Sequence, residues 1–251
     1  MASPTAFTPM SQAVRIRWDR FGAWCGFGFV AVFLVFFWLV AGLLPPISPD
    51  LDAASLAQRY DEDRTRLRLG LALMIFFAPV VCIPFAAATA RQVRRIEGGW
   101  GLLSLSQLMC GLLLPIVVMF PGVYFAAAVY RDDRPAEVTQ AMSDVFWMSF
   151  VGIVGNFCLQ GLILAAAAFS DRDGVVFPRW FGYVSLWYAL LAFPGSTIFL
   201  FNDGPLAWNG FLAWWIPLIA FGIWTAAIAY AVLQALRGEA RMDAELADTA
   251  R

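Results

Sequence analysis

The sequence predicts an all-α protein: a polytopic transmembrane bundle of about six membrane-spanning helices, with short amphipathic helices in the outer loops. Three observations predict it. Hydrophobic residues make up 61% of the 251 and charged residues only 14%, where a soluble domain holds roughly 45–50% and about 25%. The mean hydropathy is +0.71, more apolar matter than one buried core can hide, because a soluble domain must cover its surface with polar groups. The apolar residues also gather in separate runs, each reaching the roughly 20 residues a helix needs to cross the hydrocarbon.

Those runs are 21–44, 67–90, 101–130, 145–169, 181–201 and 211–236. They make one transmembrane domain over 21–236, between a cytoplasmic N-terminal segment, 1–20, and a cytoplasmic tail, 237–251. Helices are expected because a bilayer cannot satisfy an open backbone, and the runs are apolar on every face, unlike barrel strands. The first run is too long for a signal peptide and ends at Pro45, Pro46 and Pro49. All 17 positive residues are Arg. With a cytoplasmic N-terminus, eleven of them fall inside and six outside, which favours both termini in the cytoplasm of a bacterial inner membrane. Arg64, Arg66 and Arg68 sit on the wrong side but interleave with Asp61, Glu62 and Asp63.

Two outer loops read as helix-bearing. Ser48-Pro49-Asp50 opens a stretch with Leu51, Ala54, Leu56 and Tyr60 on one face. Asp133-Arg134-Pro135 opens another, with Glu137 in its first turn and Val138, Ala141 and Met142 as the apolar face. Asn202-Asp203-Gly204-Pro205 reads as a tight turn, followed by Trp208, Trp214 and Trp215 at interfacial height. The polar tail from Gly238 reads as a fraying end.

The chemistry of the chain excludes more than it proposes. There is no His, which removes His-ligated metals and haem and any His proton relay, and no cofactor is expected. The net charge of -1 argues against nucleic acid as a partner. Cys25, Cys82, Cys110 and Cys158 all lie in apolar runs without CxxC spacing and read as small hydrophobes. Every Asp, Glu and Arg falls at a span end or in a loop, which argues against a proton pump or voltage sensor. Ser104, Ser106 and Gln107 have no base at their depth, so serine catalysis is not expected, and Glu97 reads as a solvated loop acid.

Three sets of residues remain as candidate sites. Asn156 and Gln160, at i and i+4, put two amides on one face, for a ligand in the interior or, as preferred, for a neighbouring helix. Pro121-Gly122 and Pro194-Gly195 are candidate helix breaks that line a cavity, with curved packing as the plainer reading. Asp61, Arg64, Arg68, Arg131, Asp132 and Asp203 form a candidate outer-surface charge cluster for a headgroup or partner; compensating ion pairs are the plainer reading. Gly22 and Gly26 form a GxxxG suited to helix contact.

Arg17-Trp18, Trp24-Cys25-Gly26, Leu44-Pro45-Pro46-Ile47-Ser48-Pro49, Tyr60 to Arg68, Val176-Phe177-Pro178-Arg179-Trp180 and Asn202 to Gly210 together resemble a group of bacterial six-helix integral membrane proteins of unknown function. The resemblance covers nearly the whole chain and implies the six-helix fold. It implies no activity, cofactor or catalytic residue. The leading expectation is therefore a non-enzymatic accessory subunit or binder of a lipid-like molecule, with membrane lipid, a membrane-protein partner or a second copy as its company. A facilitator of a small apolar or neutral solute comes second. An enzyme using outer carboxylates such as Asp61, Asp132 and Asp203 comes third.

Overall fold

The structure is a computed structural model that describes residues 10–249, without the side chains of 243, 244, 246 and 247. Residues 1–9 of the expected N-terminal segment and Arg251, counted to the inner side, lie outside that range. The regular structure of the described residues is all helical, with no strand. The α-helices are α1 (Gln12–Val32), α2 (Ala53–Glu62), α3 (Arg64–Glu97), α4 (Leu102–Ala128), α5 (Ala136–Gly152), α6 (Gly155–Ser170), α7 (Arg179–Ala192) and α8 (Ile216–Thr249).

Among these residues five helical stretches are long and apolar enough to cross a bilayer: Gln12–Val40, Arg64–Glu97, Leu102–Ala128, Ala136–Ser170 and Gly204–Met242. The sixth crossing is composite. The 14 residues of α7 reach only about 21 Å, at about 1.5 Å each. Seven residues of 3-10 helix, Phe193–Phe199, continue it and add about 14 Å, at about 2 Å each. Together they match the roughly 30 Å of hydrocarbon. Large apolar side chains stand outside the bundle: Phe76, Ile116, Trp187 and Leu190 are 64%, 53%, 64% and 58% exposed. In water such a belt would aggregate; in lipid it is the expected surface.

Each expected run becomes helix, but four are not regular. The first run extends back to Gln12 and finishes as a π-helix, Phe33–Val40. The fourth is two helices, interrupted at Ile153-Val154, where two glycines and β-branched neighbours weaken the helix. The fifth tightens to 3-10 after Ala192. The sixth opens with a second π-helix, Phe211–Trp215.

Close packing is local to small residues. A Cβ on Gly22 would stand 2.5 Å from the Pro84 carbonyl oxygen, and one on Gly26 would stand 2.6 Å from the Phe85 ring. The GxxxG of α1 thus seats α1 on α3 within one chain.

The loop end differs from expectation in two ways. The helix of the first loop starts at Ala53, because Asp52, not Ser48-Pro49-Asp50, is its N-cap. The Asp52 carboxylate accepts from the Ser55 backbone N–H (3.0 Å) and hydroxyl (2.7 Å), and these bonds hold its pKa below the usual carboxylate value. The second expected loop helix is the beginning of α5, with no break before the span. Its inward face is Thr139, Ser143 and Phe146, while Val138 and Ala141 are exposed. The reason is Tyr60. Its hydroxyl is buried and bonds Ser143 Oγ at 2.7 Å, so the polar stripe of α5 must face α2. Burial pushes the Tyr60 phenol up to about 12.

The opposite end is held by charge. Arg91 Nη1 lies 3.0 Å from Asp19 Oδ1, and Glu239 takes Arg15 Nη2 at 2.6 Å and Arg95 Nη1 at 3.1 Å. The tail from Gly238 is therefore not a fraying end: α8 runs to Thr249, and Glu239 is buried among arginines from α1 and α3. Glu97 is not merely solvated either. Its carboxylate accepts the N–H groups of Leu103 (3.0 Å) and Ser104 (2.8 Å), and so caps α4.

Candidate functional site

The four backbone irregularities surround one space. A cavity of about 100 Å³ lies inside the bundle, with Phe33 of the first π-helix, Val151 and Val154 at the α5–α6 interruption, Ala192 at the end of α7, and Ala213 and Trp214 of the second π-helix in its wall. Each element leaves its regular pattern at the height of this cavity. π-helical turns are rare and tend to occur at functional sites. Here they rotate and widen the backbone where α1 and α8 face the interior.

A larger groove of about 500 Å³ lies outside it, between the first span and the last. Its wall runs from Val30, Leu34 and Trp38 across to Trp215, Ile219 and Ile223. The rim faces outward from the bundle, with Ile219 58% and Ile223 62% exposed. The groove and the cavity share Phe29, Phe33, Leu218 and Phe221 as lining residues. Those four side chains form the partition between lipid side and interior. Phe221 sits in an aromatic cage, with ring centroids 5.9 Å from Phe29, 5.8 Å from Phe157 and 6.0 Å from Tyr188.

The lining is almost wholly apolar. In the inner cavity only Tyr188 and Trp214 carry polar side-chain atoms. Trp214 Nε1 is buried with no hydrogen-bond partner among the described residues. The groove volume falls in the roughly 300–1,000 Å³ range of small-molecule sites. Such a site suits a flexible hydrocarbon chain with at most one acceptor at its inner tip. No cluster of three or more His, Cys, Asp or Glu that could hold a metal occurs among the described residues.

The candidate residues read from sequence are placed elsewhere. Asn156 donates through Nδ2 to the Cys110 carbonyl at 3.1 Å, in the helix that carries Pro115. Gln160 is buried, its Nε2 only 3.6 Å from where a Cβ on Gly111 would lie. Both amides thus face the α4 contact, and neither lines the cavity or the groove.

Pro121 and Gly122 do not break α4, which runs through them. Gly122 meets Ile75 of α3, its Cβ position 3.0 Å from Ile75 Cγ1. Pro194 and Gly195 do mark a change of helix type, and Gly195 lies against Val151 and Val154 at the α5–α6 interruption. These residues shape the wall from behind without lining either space.

Half of the charge cluster read from sequence is engaged in structure. Arg64 pairs with Asp61 and reaches the Val129 carbonyl (3.4 Å), and Arg68 lies 5.4 Å over the Tyr130 ring. Arg66 donates to the carbonyls of Leu39 and Val40, both at 3.2 Å, and so caps the end of the first span. The wrong-side arginines therefore close helix ends. Arg131, Asp132 and Asp203 are exposed. Of the interfacial tryptophans, Trp208 ties two loops together by donating to the Ile47 carbonyl at 2.9 Å. Trp214 instead turns inward, 5% exposed.

Sequence reasoning missed the groove. Its lining is Phe, Val, Leu and Trp, which the same reading takes for lipid-facing or core residues. The available signal was Gly222 between the bulky Phe221 and Ile223. Gly222 lines the groove, and a Cβ there would meet open space.

Comparison of the chain with family models, with curated proteins and with solved structures finds no match.

Proposed function

We propose that this protein is a non-enzymatic, multi-pass protein of the bacterial cell membrane, with both termini cytoplasmic, that binds the hydrocarbon chain of a lipid-like molecule in the groove between α1 and α8. It belongs, on this reading, with the six-helix membrane proteins whose residues it resembles. The observation behind the reading is the joint between groove and cavity. An apolar entrance open to the lipid side leads, past Phe29, Phe33, Leu218 and Phe221, to an interior space. A chain in that position exchanges a lipid environment for a shaped wall, so the gain comes from van der Waals fit and from Trp214 Nε1, not from the hydrophobic effect.

The solute-facilitator reading loses its polar grip, because the Asn156 amide is engaged by the Cys110 carbonyl. The enzyme reading needs Asp61, Asp132 and Asp203 to converge, and Asp61 is held by Arg64.

Gly222→Phe tests the proposal. A Cβ at Gly222 meets nothing within 4 Å, so the added ring has room to extend into the groove. Native mass spectrometry of protein extracted in mild detergent is expected to show lipid-mass adducts on the parent chain and one fewer on Gly222→Phe, with helicity unchanged. Adducts equal in number and occupancy in both proteins would remove the groove as the binding place.

A further inference from the structure

A second space lies at the other end of the bundle, separate from the groove. It has a volume of about 390 Å³ and is lined by Arg15 and Asp19 of α1, by Arg91, Arg94 and Arg95 of α3, and by Glu239 of α8. Four guanidinium groups face two carboxylates, so the lining holds a formal excess of two positive charges. The carboxylates are the buried members, Asp19 at 6% and Glu239 at 8%. They hold Arg91, Arg15 and Arg95 in place by the ion pairs already described, and Gln92 Oε1 fixes Arg95 further at 2.7 Å. Arg94 has no carboxylate. Its guanidinium carbon lies 5.2 Å from the centroid of the Trp100 ring.

We propose that this pocket binds the phosphate group of an anionic ligand at the membrane surface, either a phospholipid headgroup or a free phosphate. Each guanidinium has five N–H donors in a rigid fork, and one carboxylate contact leaves others free. Buried carboxylates therefore preorganise the forks and do not saturate them. A free phosphate of charge near -2 matches the excess, the phosphodiester of a headgroup, of charge -1, offsets half of it, and the oxygens of either accept in the bidentate geometry that Arg presents. Basic pockets between membrane helices at the level of the headgroups are sites of this kind. The pocket is lined by side chains of α1, α3 and α8, so a bound phosphate joins the three helices further.

The test is the thermal unfolding midpoint of the full chain in neutral detergent at fixed ionic strength. Three additions are compared: phosphatidylglycerol, phosphatidylcholine and inorganic phosphate. Arg94→Gln keeps every ion pair of the pocket, and Arg17→Gln removes an exposed charge at the same end but outside the pocket. Phosphatidylglycerol is expected to raise the midpoint of the parent and of Arg17→Gln. In Arg94→Gln the concentration needed rises by roughly tenfold or more, as for loss of a charged hydrogen-bond donor. A rise with inorganic phosphate alone assigns the pocket to a free anion, and a rise only with phosphatidylglycerol assigns it to a headgroup. Three results would overturn the site: no rise with either anion, an equal rise with phosphatidylcholine, or an equal loss in Arg17→Gln and Arg94→Gln.

Discussion

At the arginine-rich end α1, α3 and α8 are regular α-helices, and three ion pairs converge on the buried carboxylates of Asp19 and Glu239. Toward the end that bears α2 the same bundle leaves the α-helical pattern four times, and aromatic rings fill the space between elements. Phe37, Phe150 and Trp214 lie with centroids 5.3–6.2 Å apart, and Trp147 packs edge-on to Trp214 at 5.8 Å. The difference teaches how a chain with few charges divides its labour. Ion pairs close the end where water can reach them, and irregular backbone opens a space where only side-chain shape is available.

That contrast can be broken at several points. The largest expected effect is at the α1–α3 seat: Gly22→Val must displace the Pro84 carbonyl, and unfolding free energy should fall by about 3 kcal/mol in a denaturant titration in micelles. Next is Glu239→Ala, which leaves Arg15 and Arg95 facing each other. A loss of about 2 kcal/mol is expected, less than for a fully buried pair because both arginines are partly exposed, and high salt should reduce the loss.

Tyr60→Phe strands Ser143 Oγ at the α2–α5 contact, for about 1 kcal/mol. The parent contact carries a pH signature that the variant lacks. With the folded phenol raised from 10.0 to about 12, its stabilisation is complete below pH 10 and is lost as pH climbs through 12. Alkaline titration of tyrosinate absorbance should find one fewer late-titrating group in Tyr60→Phe than in the parent. The smallest expected effect is that of Asn156→Val, about 0.6 kcal/mol, the usual size of one interhelical hydrogen bond in a membrane, with lipid adducts unchanged. A large loss of lipid there would move the site to the α4–α6 contact.

Much of this fold is legible in the sequence, because length and hydropathy of a run are sufficient to place a span in lipid. The run 101–130 becomes Leu102–Ala128 within two residues of each limit. Arg237 to Thr249 misleads, since a polar stretch reads as loose until its buried partner, Glu239 with Arg15 and Arg95, is known. Two helices likewise hide a contact in composition: the Tyr60–Ser143 bond reverses which face of α5 is inward. The candidate site is far less legible. Asn156 and Gln160 attract notice because polarity in lipid is costly, and they serve a helix contact. The groove is made from residues that differ from ordinary lipid-facing ones only in how the backbone at Phe33–Val40 and Phe211–Trp215 turns them. A periodicity of 3.6 residues cannot reveal that, because a π-turn shifts every following side chain by a fraction of a turn.

The most direct measurement is photolabelling of the purified protein with a lipid carrying a diazirine near the end of its acyl chain, followed by peptide mapping. Label concentrated on Phe29, Phe33, Leu218 and Phe221, and displaced in Gly222→Phe, is the expected result. Label spread over the exposed apolar belt, with Phe76, Ile116 and Leu190 marked as heavily as the partition, would contradict a binding groove between the first span and the last.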